Sequence, residues 1–273
     1  MRHALLFRAR SRFALPVALT VLLAACGDDI TNNNAGPPTF TPNPIVTHAD
    51  LQAALTTALS STNGGLDFPM WATVVDRAGV VVAVVNSGPA VDDQWLGSRA
   101  ISAQKANTAN AFSLDVFALS SANLFSPVQP GGSLYGLQES NPVAADVVYG
   151  GDQSDYGTVD DFMVGKKPGG INVFGGGLAL YDASGAVIGG VGLSGDTSCA
   201  DHNIAWRVRH ALNLDNVPGG LSGAVGGDNI IFDIDPVTGV STSGFGHPTC
   251  LGGAADSTMG TNLPTNYPLG PTP

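Results

Sequence analysis

Residues 187–209, VIGGVGLSGDTSCADHNIAWRVR, gather the side chains with the most chemical promise. Gly190, Gly192 and Gly195 spell G-x-G-x-x-G, and Asp215 follows twenty positions after the last glycine, the spacing of a dinucleotide loop with its ribose-binding acid. Cys199, Asp201 and His202 crowd a helix start, as a metal or catalytic cluster would. A dinucleotide loop, however, must join the first strand and the helix of a parallel βαβ unit. Here Asp182-Ala183-Ser184-Gly185 turns the chain just ahead of the glycines, so they lie inside the second strand of a hairpin. Ser194 is no nucleophile elbow, because the glycine that G-x-S-x-G requires is replaced by Asp196. The glycines then read as places where a helix or a ligand approaches the sheet closely.

Other residue types carry weaker signals. Asp152, Asp155, Asp160 and Asp161, and again Asp228, Asp233 and Asp235, offer oxygens to calcium, but neither run has EF-hand spacing and both read as solvated turns. Arg99, Lys105, Arg207 and Arg209 fall on two helices, which fits either an anionic ligand or ordinary ion pairing. His202, Trp206 and Arg209 form a stripe beside an apolar helix face, and His202 is a candidate metal or iron ligand or a partly exposed first-turn histidine. Asp201 points inward at the first turn, where the helix dipole favours a carboxylate.

The elements that must position these groups follow from hydrophobic period and turn chemistry. Thr47 caps a first helix carrying Leu51, Ala54, Leu55, Ala58 and Leu59 on one face. WATVVDRAGVVVAVV reads as a hairpin around Asp76 and Gly79. SRAISAQKANTANAF, residues 98–112, is a small-residue helix, and a second short helix is expected over 114–123. Residues 141–169 read as an irregular insertion, a second hairpin follows around 182–185, and a last helix starts near Ser198 with Ile204, Ala205, Val208, Ala211 and Leu212 inward. Residues 214–273 form a Gly/Pro/Thr-rich extension with one strand pair expected near 229–232. Two hairpins among helices imply an antiparallel sheet with helices packed on it, an α/β (α+β) domain.

The N-terminal residues bear on location. Arg2, Arg8, Arg10 and Arg12 precede an apolar run from Phe13 to Leu23, and Leu23-Ala24-Ala25-Cys26 closes it like a bacterial lipobox. That reading makes 1–25 a signal peptide, Cys26 the lipidated residue, 26–46 a flexible tether, 47–213 the folded domain and 214–273 its extension, in a periplasmic or cell-surface protein held to a membrane by lipid alone. Cys199 and Cys250 then remain as an even pair in an oxidising compartment, expected as a disulfide, with a zinc site as the alternative. Four of the 11 basic residues and none of the 22 acidic ones lie in the first 25, so the processed chain carries seven against 22, a net −15. Such a chain has no basic face for nucleic acid.

Five segments in order resemble the GlcG/HbpS family, which includes the C-terminal domain of PduO-type proteins: VVDRAGVVVAVV, AQKANTANAF, PGGSLYGL, GGGLALYDASGAVIGGVGLSG, and Asp201 opening the last helix. The resemblance covers about 48–212. It implies a profilin-like fold with an antiparallel five-stranded sheet flanked by helices, haem binding, and a homo-oligomer. Lys105, Gly192, Ser194, Gly195 and Asp201 match family positions. Val85-Asn86-Ser87-Gly88-Pro89-Ala90 departs from the Arg-Met-Asp-Gly-Ala run common in the family, and no histidine matches a family iron ligand. The expectation is a binding protein for haem or a related tetrapyrrole or other small anionic ligand, with Arg99 and Lys105 facing the propionates and His202 or His48 as the iron ligand. A haem-degrading or small-acid enzyme and a structural or sensory envelope protein stay as alternatives; the first predicts turnover of bound haem, the second a protein partner and no ligand. No acid–base pair or nucleophile constellation is visible.

Overall fold

Thr47 opens α1 (His48–Leu59) with a capping box: its hydroxyl accepts from the Asp50 backbone N–H at 3.1 Å while the Asp50 carboxylate accepts from Thr47 N. The computed structural model describes residues 36–251 and 254–270. The signal segment 1–25, Cys26 and most of the tether lie outside the described residues. Both D-x-x-G turns form as the sequence predicts. Asp76 Oδ1 accepts from the N–H groups of Ala78 and Val80, and Asp182 Oδ1 from those of Ser184 and Ala186. Gly79 and Gly185 follow at positive φ, where a side chain would be strained. These turns close β1 (Trp71–Asp76) with β2 (Val81–Asn86), and β3 (Gly177–Tyr181) with β4 (Val187–Ser194), into two hairpins.

The hairpins pair through β1 and β4, so the sheet order is β2-β1-β4-β3 and every pairing is antiparallel. One face carries Ala72, Val74, Val85, Leu178, Val191 and Leu193 against α1 and against α4 (Ser198–Ala211). The other lies under α2 (Ser98–Phe112), whose Ala100, Ala103 and Ala106 meet Trp71, Val75 and Val84. The expected five-stranded sheet has four strands among the described residues. Beside β3 there is a single parallel bridge from Tyr181 to Asp215, and Pro218-Gly219-Gly220 then turns the chain away.

Three local expectations change. Residues 114–123 are not a helix: Ser113 Oγ holds the N–H and carbonyl of Leu119, folding the chain back, and a short 3₁₀ turn follows at Ser121–Leu124. The insertion contains two short helical turns, α3 (Ala145–Val148) and a 3₁₀ turn at Gln153–Asp155. The extension forms α5 (Gly223–Gly226) and α6 (Ala254–Asn266), and in place of the strand pair the described residues have the bridge Ile234–Ser241 within the extension.

Candidate functional site

Gly177 and Gly190 lie beneath α2 with Gly192, where a methyl group would overlap backbone atoms of Ser102, Lys105 or Ala106. The approach these glycines permit is that of a helix. It brings Lys105 to the start of β3, where its Nζ meets Asp201 Oδ2 at 2.6 Å and Leu193 O at 3.0 Å. Asp201 Oδ1 accepts from Asp196 N at 2.9 Å. Burial pushes Asp201 up to about 6 against the opposing pull of Lys105, and burial drives Lys105 down. Lys105 and Asp201 are therefore brought together, but as a buried ion pair with no face to solvent. Gly195 packs on Pro69 and Met70, and Ser194 is buried at the end of β4.

Arg99, at the first turn of α2, is buried as well. Its Nε and Nη2 grip Asp161 at 3.0 and 2.5 Å, its Nη1 donates to Val148 O, and its guanidinium lies 3.7 Å from the Tyr156 ring centroid. Asp161 is thus a buried partner, not the solvated turn residue the sequence suggests; Asp228 is likewise buried, in a bidentate pair with Arg209. Arg207 donates to Thr62 O and Asn63 Oδ1. The concentration of cations on α2 and α4 is largely ion pairing.

The histidines are similarly committed. His202 is fully buried, not partly exposed: its Nε2 accepts from Ile230 N at 3.1 Å, and burial, with His247 and Arg209 nearby, pushes it down to about 3. The His202–Trp206–Arg209 stripe, expected at a margin, is covered by the extension through Asp228, Asn229 and Tyr267. His48 Nε2 lies 2.9 Å from Gly157 O, and His210 Nδ1 lies 2.8 Å from Asp215. Cys199 and Cys250 form the expected disulfide, which fastens the extension to the first turn of α4.

A different place has the character of a ligand site. Between β1, α2 and the insertion lies an apolar slot of about 120 Å³ lined by Trp71, Leu96, Arg99, Val148, Tyr149 and Tyr156. Leu96 and Tyr149 stand 70 % and 63 % exposed at its mouth. Of the predicted site residues that are described, only Arg99 reaches it. The tyrosines escaped the sequence reading because an irregular insertion gives no period to place them; their signal is two aromatic residues seven apart in a Gly/Asp-rich segment.

Residues 46–209 match the family described as haem degrading protein HbpS-like. No curated protein matches the chain. Similar solved structures include the Klebsiella pneumoniae protein ORFY at 26 % identity (61 % of this chain, 90 % of that one, TM-score 0.41) and a PduOC–haem complex at 26 % (61 % and 91 %, TM-score 0.42). HbpS matches at 15 % identity over 64 % of this chain and 92 % of that one, TM-score 0.40. With more than half of its length matched by the family model, this chain belongs to the haem-degrading HbpS-like family.

Proposed function

We propose that the chain binds haem or a related tetrapyrrole at the slot between β1, α2 and the insertion. Membership of the HbpS-like family supports the ligand class, and the observation that carries the location is the aromatic and aliphatic lining around a guanidinium. A macrocycle needs apolar surface on its faces; Leu96 and Tyr149, exposed at the mouth, supply it, with buried Trp71 and Tyr156 behind them, while Arg99, neutralised by Asp161, braces the lining. At about 120 Å³ the slot is smaller than the roughly 300–1,000 Å³ that encloses a drug-sized ligand. It grips one edge of a macrocycle.

Bound haem would supply iron chemistry, and the donor the slot offers it is the Tyr149 phenol rather than an imidazole. Asp161 and Tyr156 hold Arg99 in orientation, while Lys105, Asp201, Gly192, Ser194 and Gly195 act as scaffold. Lipidation at Cys26 and export to the periplasm or cell surface are part of the proposal; the lipobox-like residues support the anchor, and the disulfide suits an oxidising compartment. Titration with hemin tests the ligand: the Soret band shifts and saturates at one equivalent, and Tyr149→Phe changes its position. An unshifted band at micromolar hemin refutes the reading.

A further inference from the structure

Cys199, Cys250 and His247 meet at the N-terminus of α4, each offering a donor atom within 4.8 Å of the others. Cys199 and His247 are buried, and Cys250 is partly exposed. The first turn of α4 is directed at Cys250 Sγ: Cys199 N lies 3.1 Å from it and Ser198 Oγ 3.4 Å. A thiolate there would receive a backbone N–H, a hydroxyl and the positive end of a helix dipole. His247 is oriented by Nδ1, which donates to Pro248 O at 2.7 Å, and by the Phe125 ring at 5.3 Å; Nε2, in a long 3.4 Å contact with Gly175 N, is the nitrogen that exchanges this contact for a metal. Backbone contacts of this kind orient a ligating imidazole. An open cavity of about 400 Å³, lined by Phe174, Thr197, Ser198, Thr249, Cys250 and Leu251, adjoins the pair.

We infer that the disulfide and a zinc-type metal site are two states of the same three side chains: reduced, Cys199, Cys250 and His247 hold one soft divalent cation, with water from the adjoining cavity as fourth ligand. The chemistry balances with a dithiol as reductant. Its thiolate attacks Cys250 Sγ, the accessible sulfur, breaking the S–S bond and releasing Cys199 as thiolate. The reductant's second thiol then displaces Cys250 and closes its own disulfide. Two electrons pass to the cysteines, and the metal replaces the two thiol protons. The sulfurs must part to about 3.8 Å, the separation that metal–sulfur bonds of about 2.3 Å impose on a tetrahedral centre. This readily fits the observed Cα separation of 6.0 Å.

The test uses the full chain with Cys26→Ser, so that only this pair reports. It is reduced anaerobically with dithiothreitol, desalted and titrated with Co²⁺. The expected result is one equivalent bound with thiolate-to-cobalt charge-transfer and tetrahedral d–d bands, displaced by Zn²⁺ and absent from the oxidised chain. His247→Gln should weaken binding at least about tenfold while its circular dichroism stays that of the parent. Should the reduced chain lose structure when metal-free, Zn²⁺ present during reduction is expected to preserve it. The inference is overturned if the reduced chain shows no thiolate band, if Co²⁺ binding ignores reduction or the His247 change, or if Zn²⁺ fails to hold the reduced fold.

Discussion

Lys105 and Asp201 give up their hydration inside the protein, and each depends on the other to make that tolerable. Lys105→Met leaves an uncompensated carboxylate, and a loss of about 3–5 kcal/mol is expected in urea denaturation; the double variant with Asp201→Asn should recover part of it. His202 gives a pH dependence. Its folded value, about 3, lies below its ordinary 6.5, chiefly through burial. The unfolded chain therefore takes up this proton first, and the stability it contributes is complete above pH 6.5 and falls as the pH drops toward 3, at roughly 1 kcal/mol per pH unit. Asp201, raised to about 6, works in the opposite direction: its contribution is complete below 3.8 and lost as the pH rises through 6. Urea midpoints between pH 7 and 4 should fall less steeply for His202→Gln than for the parent. Asp201 is legible in the sequence as an inward first-turn carboxylate. Its partner is not, since 96 residues separate the two and no local period links them.

Among the elements, the contact of α2 with β4 is set by absent side chains. Gly192→Ala would drive a methyl into the Ser102 carbonyl, and the expected cost is about 3 kcal/mol or more. Gly97→Ala, whose methyl meets only Ile101 at 3.6 Å, should stay within about 0.5 kcal/mol of the parent in the same denaturation series. Both hairpins were readable because Asp76 and Asp182 bond the backbone of their own turns, a local interaction that sequence spacing expresses directly. Residues 114–123 were not, because Ser113 ties the chain to Leu119 and overrides helical preference. The inward face of α4 was readable in Ile204, Ala205 and Val208, but Ala211 is exposed and the remaining faces are covered by a segment distant in sequence.

At the scale of the whole molecule, the extension that composition marks as loose is part of the core. Asp228 neutralises Arg209, Tyr267 O accepts from Trp206 Nε1, Ile230 N donates to His202, and the disulfide closes a separation of 51 residues. Cys250→Ser should cost roughly 4 kcal/mol through the freed loop alone, seen as a lower denaturation midpoint with a steeper slope, since the uncrosslinked denatured chain exposes more surface. The slot depends on the same tertiary assembly, because Trp71, Leu96 and Tyr149 come from a strand, a loop and the insertion, and sequence order alone could not bring them together. The most direct test is hemin titration of the parent beside Leu96→Asp/Tyr149→Asp and a control, Val116→Asp, all at exposed positions. Carboxylates at the slot mouth repel propionates and remove apolar contact, so a loss of affinity of at least about tenfold is expected for the double variant, with Val116→Asp unchanged. Equal hemin affinity in all three chains, or a Soret shift in none, would contradict the proposed site.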